Sequence, residues 1–156
     1  MRRSVFFVSL SCALFAMSCT EPGGVSEGYS IEVTDKDGGK HLFEGESVSC
    51  KPNTSSPDSD PLKGKYFVGV LNALGDNILN VTLHFPDYTE PPPAGTYTNG
   101  DGLDVFFSFD PKGEEEDAMR DFSTASVTVS GEAPALRIEF DPSFPGVTGY
   151  MQCGDE

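Results

Sequence analysis

Apolar residues recur at every second position over much of this 156-residue chain. Tyr29, Ile31 and Val33 alternate with Ser30, Glu32 and Thr34, which places one set of side chains on one face of an extended strand. Asp35-Lys36-Asp37-Gly38-Gly39 has the composition of a tight turn and predicts that Lys40 to Cys50 returns as the hairpin partner. Tyr66-Phe67-Val68-Gly69-Val70-Leu71 is apolar on both parities, which predicts a strand near the centre of the fold with both faces covered. After a turn around Gly75-Asp76, Leu79, Val81, Leu83 and Phe85 share one face, with Asn80, Thr82 and His84 on the other, completing a second hairpin. Thr96 to Thr98 begins another strand and Asn99-Gly100-Asp101-Gly102 turns. Val105, Phe107 and Phe109 then face inward, with Phe106 on the opposite face. Val127 and Val129, then Leu136, Ile138 and Phe140, then Val147, Met151 and Cys153 mark the inward faces of a closing meander.

Between these runs, residues 51–61 (KPNTSSPDSDP) and 86–95 (PDYTEPPPAG) are loops, because proline cannot donate to a sheet ladder. Asp110 to Asp121 is a charged loop with room for one helical turn. No segment carries a sustained helical period and no repeat has a fixed length. The pattern predicts an all-β fold, an antiparallel β-sandwich of about eight to ten short strands, with a barrel as the alternative.

The first residues follow a different logic. Arg2 and Arg3 precede an apolar stretch from Val5 to Met17 that is too short to span a bilayer, the layout of a secretory signal. Ala16-Met17-Ser18-Cys19 resembles the lipobox of bacterial lipoproteins, although Ala16 stands where leucine is usual and Met17 where a smaller residue is usual. The resemblance covers about the first twenty residues. It implies a signal peptide over 1–18, cleavage before Cys19 and acylation of that cysteine. Residues 19–27 then form a tether and 28–156 the β domain. It also implies attachment to the cell envelope, with the outer membrane as the expected site and a freely secreted protein as the alternative. With Cys12 in the signal and Cys19 acylated, Cys50 and Cys153 remain as one pair, and both lie on core-facing parity. Two free thiols are the other reading of that pair.

Charge narrows the partners. Ten Lys and Arg face 25 Asp and Glu, a net charge of −15, and loss of the signal removes Arg2 and Arg3 and makes the domain more acidic still. Such a surface repels phosphate backbones, so nucleic acid is not an expected partner. The partners expected are the membrane, through the lipid anchor, and a protein or a polysaccharide. The charge also suits a domain kept soluble by repulsion.

Chemistry-bearing motifs are sparse. His41 and His84 show no metal-ligand spacing and read as surface histidines, and no serine sits in a nucleophile elbow, so no catalytic residue is predicted. Asp35-Lys36-Asp37-Gly38 resembles the start of a calcium loop, but Lys40 stands where that loop requires glycine. Asp58, Asp60, Asp101 and Asp104 are loop carboxylates able to hold Ca²⁺ weakly. Glu114-Glu115-Glu116-Asp117 is a solvated run or a contact for a basic partner. No cofactor is expected. The aromatic rings placed to meet a ligand are Phe106 and, beside the proline run, Tyr88 and Tyr97, with packing of the two tyrosines against that run as the other reading. The expected function is a non-catalytic binding or structural module of the envelope, with carbohydrate binding or carboxylate-dependent hydrolysis of an envelope polymer as alternatives.

Overall fold

The computed structural model describes residues 26–111 and 121–154. The signal segment, Cys19, most of the tether and the Glu114–Asp117 run lie outside the described residues. Among the described residues the chain is all-β, as its alternation predicts. The strands are β1 (Gly28–Thr34), β2 (Lys40–Gly45), β3 (Ser49–Pro52), β4 (Tyr66–Leu74), β5 (Asn77–Phe85), β6 (Gly95–Asn99), β7 (Gly102–Asp110), β8 (Ser126–Glu132), β9 (Ala135–Phe140) and β10 (Val147–Gln152).

These strands form one curled sheet in the order β2-β1-β10-β9-β8-β6-β7-β5-β4-β3. All neighbours pair antiparallel except β6 and β7, which meet in parallel at Thr98↔Gly102 and Asn99↔Leu103. That junction is a corner. β6 continues the ladder of β8, while β7 leaves to pair with β5 along Ile78↔Asp110 to His84↔Asp104. Asn99 fixes the corner by accepting the Val105 N–H at 3.1 Å through its side-chain oxygen. The sheet therefore doubles over as a half-barrel, and the two facing layers of the expected sandwich are the two arms of one sheet.

The core fills the space between the arms. Ile31, Val33, Leu79, Val81, Leu83, Val127 and Ile138 are fully or almost fully buried, each on the parity the alternation assigns. Contacts cross from arm to arm: Phe43 of β2 packs edge-on against Phe109 of β7 at 5.9 Å, and Phe85 of β5 against Tyr97 of β6 at 5.2 Å. The Asn72 amide of β4 donates to the Tyr29 hydroxyl of β1. Cys50 of β3 and Cys153, just after β10, stand at disulfide distance with Cα atoms 6.0 Å apart, joining the two arms across the fold. Where β7 and β8 diverge, the rings of Phe107, Phe122, Phe140 and Phe144 stack into one cluster, with neighbouring centroids 4.8–6.5 Å apart.

Two expectations are corrected. Lys40 to Cys50 is not one return strand: it breaks after Gly45, and β3 crosses to pair with β4. β4 lies one strand from the sheet edge and only one of its faces is covered, so Tyr66, Val68 and Val70 are buried while Leu71 is 75% exposed. Its apolar odd positions build part of an outer surface.

Candidate functional site

The alternation that seals the inner face of β5 and β7 turns a second set of residues outward. Register places Asn80 opposite Ser108, Thr82 opposite Phe106 and His84 opposite Asp104, all on the outer face. On the other side of β5, Phe67 of β4 pairs with His84, and the two rings lie 5.7 Å apart. Leu62, from the loop joining β3 to β4, closes one wall. Together Leu62, Asn80, Thr82, His84, Asp104, Val105 and Phe106 line a depression of about 300 Å³.

The loop that carries Leu62 is held by its own hydrogen bonds. Asn53 N–H donates to the Lys65 carbonyl and Gly64 N–H to the Asn53 carbonyl, both at 2.7 Å, and the Asn53 amide donates to Ser56 at 2.8 Å. The Asp60 carboxylate accepts the Leu62 N–H at 2.9 Å, fixing the residue that forms the wall. Hydrogen bonding from Ser56 and then from the Leu62 N–H holds the Asp60 carboxyl below its ordinary range, with a smaller contribution from His84 and a partial opposing effect of burial.

His84 is the central titratable group of this site. Burial pushes its pKa below the ordinary histidine value, while the charges of Asp104 and Asp60 pull it back in part. Its Nδ1 is buried with no hydrogen-bond partner among the described residues. Covered by Phe67 and flanked by two carboxylates, it is not the plain surface histidine its strand position suggests. Phe106 stands at the rim with 55% of its surface exposed.

Of the predicted ligand residues, the fold places Asp104 and Phe106 in the lining and sets Asp60 close enough to act on His84. The others lie elsewhere. Asp58 pairs with Lys63, and Asp101 is exposed in the corner between β6 and β7. Among the described residues no three His, Cys, Asp or Glu side chains are grouped to hold a metal ion.

Tyr97 takes the packing alternative and is no ligand ring: it is 9% exposed, edge-on to Phe85 and to Tyr88. Its hydroxyl donates to the Pro93 carbonyl at 2.8 Å, because a proline-rich segment keeps its acceptors while lacking donors. Burial, followed by the hydrogen bond and charge of Tyr88, pushes the Tyr97 phenol up to about 12. Tyr88 packs half-buried against the same core.

Asn80, Thr82, His84 and Leu62 were not singled out as ligand contacts from the sequence. The available signal was the shared outward parity of 80, 82 and 84, which becomes a site only once register brings Phe106 and Asp104 alongside.

Two other polar clusters are internally satisfied. Asp35 accepts the N–H groups of Asp37 and Gly39 at 3.0 and 2.6 Å and pairs with His41 at 2.9 Å, so the calcium-like carboxylate closes its own hairpin turn. Ser126 and Thr128 both donate to Asp141 at 3.0 Å. A second depression of about 310 Å³ opens where β1 begins, with the Arg137 guanidinium 3.7 Å above the Tyr150 ring and its Nε donating to Glu139 at 2.7 Å. No helix among the described residues is long and apolar enough to cross a membrane. Compared with known proteins, the chain matches no family model, no characterised protein and no solved structure.

Proposed function

We propose that this chain is an exported, lipid-anchored, non-catalytic binding module of the cell envelope, held through Cys19 and presenting the outer face of β5 and β7 to its ligand. One observation carries the binding role: an exposed phenylalanine, Phe106, stands beside convergent polar groups in a depression backed by a sealed core. An apolar platform with a few placed hydrogen-bonding groups is the usual make-up of a ligand site. The anchor rests on the lipobox-like Ala16-Met17-Ser18-Cys19.

Both halves of the reading are testable. Cys19→Ala is expected to abolish acyl-chain labelling and release the protein from the membrane fraction; labelling that survives ends the anchor proposal. Retention of the purified chain on isolated envelope material is expected to fall in Phe106→Ala. Retention that ignores Phe106 removes this face from the function.

A further inference from the structure

We infer that the depression between Leu62 and Phe106 takes a single neutral, hydroxyl-bearing sugar ring of an envelope polysaccharide. The inference rests on the binding-module reading and names its ligand. Phe106 offers an exposed aromatic ring and Leu62 an apolar wall, against which the C–H groups of a sugar ring leave water. Along β5 the side chains of Asn80, Thr82 and His84 follow at about 6.8 Å steps, set by two residues of strand rise, and Asp104 stands beside the last of them.

The mixture of donors and acceptors selects the ligand. A hydroxyl group both donates and accepts. The lining answers both needs, since the Asn80 amide and Thr82 hydroxyl do both and the Asp104 carboxylate accepts. An ammonium group only donates, so it uses the Asp104 carboxylate alone, and at a rim open to solvent such an ion pair contributes little beyond what a hydroxyl gains from the same acceptor. An anion meets Asp104, the nearby Asp60 and a chain of net charge −15. The volume of about 300 Å³ lies at the low end for small-molecule sites, which fits one ring with the rest of the polymer in solvent.

The test uses the chain as purified from the expressing cell, in detergent, titrated calorimetrically with three oligosaccharides of equal length: a neutral hexose oligomer, an oligo-uronate and an oligo-glucosamine. The neutral oligomer is expected to bind tightest. Phe106→Ala and Asp104→Asn should each weaken it about tenfold, the factor that corresponds to 1.4 kcal/mol. Leu71→Ala, exposed on the same face but outside the depression, should leave it unchanged. Tighter binding of oligo-glucosamine overturns the neutral ligand and leaves the module standing. Neutral binding that is indifferent to Phe106→Ala overturns the site. Silence of all three sugars overturns the inference; if retention on envelope material still depends on Phe106, the binding module survives with a different ligand, and if it does not, both fall.

Discussion

His84 on β5 and Asp104 on β7 are directly opposed in register on the outer face of the sheet, yet the histidine titrates below its ordinary value. Burial disfavours its charged form more than the two neighbouring aspartates favour it. The folded chain therefore binds fewer protons than the unfolded one just below the ordinary histidine pKa. Stability is fully present above that value of about 6.5 and falls as pH drops below it. Denaturant midpoints measured from pH 8 to pH 5 should decline over this window, and His84→Gln should flatten the decline. An unchanged slope in the variant assigns the acid sensitivity to another group.

Tyr97 gives the opposite limb. With its phenol pushed up to about 12, it stays protonated where an unfolded tyrosine ionises, so stability is intact below pH 10 and is lost as pH rises from about 10 toward 12. Tyr97→Phe removes this alkaline loss, at the cost of the hydrogen bond to Pro93, about 1 kcal/mol at neutral pH. Absorbance titration of the phenolate checks the value directly.

The cysteine pair spans a sequence separation of 103 residues. In the chain-entropy account, closing such a loop contributes on the order of 4–5 kcal/mol. Reduction, or Cys50→Ser with Cys153→Ser, should lower the unfolding free energy by about that amount. A midpoint that ignores reductant, or free thiols in the unreduced protein, rules the bridge out.

Two phenylalanines separate core from site. Phe43 is fully buried and packs on Phe109, so Phe43→Ala should cost about 3–5 kcal/mol. Phe106→Ala should change stability by no more than about 0.5 kcal/mol while weakening ligand binding. Equal losses in both would mean that Phe106 serves the fold.

Gly149 sits in β10 opposite Ile31 with φ of +115°, and a Cβ there would overlap the Ser30 carbonyl oxygen. Gly149→Ala should cost about 2–5 kcal/mol from strain and overlap together. Gly38→Ala, at φ +82° but with open space around the new methyl, should cost only about 1–2 kcal/mol. Thermal melts of the two variants make the comparison.

Local alternation revealed which side of β1, β5, β8 and β9 faces the core, because one buried neighbour layer imposes a period of two over a few residues. It could not reveal whether the opposite side of β4 is covered. That depends on what crosses above it, so Leu71 looked central and is exposed. Nor does alternation reach into loops: Phe144 is 2% exposed without belonging to a strand, recruited by the aromatic cluster at the divergence of β7 and β8. The outward set of Phe106 was legible from parity. The meeting of His84 with Asp104 was not, because register between strands twenty residues apart is fixed by the whole sheet. Tyr97 takes the packing reading and not the ligand one, because the carbonyls of the proline-rich segment serve as acceptors for a buried hydroxyl.

β1 lies between β2 and β10, laddered to both from Gly28↔Gln152 and Tyr29↔Gly45 onward. A pull directed along this strand through the chain ahead of Gly28 acts perpendicular to its antiparallel hydrogen bonds. Such a load shears two ladders together instead of unzipping one bond at a time. Under a load along its axis β1 is gripped on both sides and yields as a unit, and resistance to that load comes from its position in the sheet as well as its length.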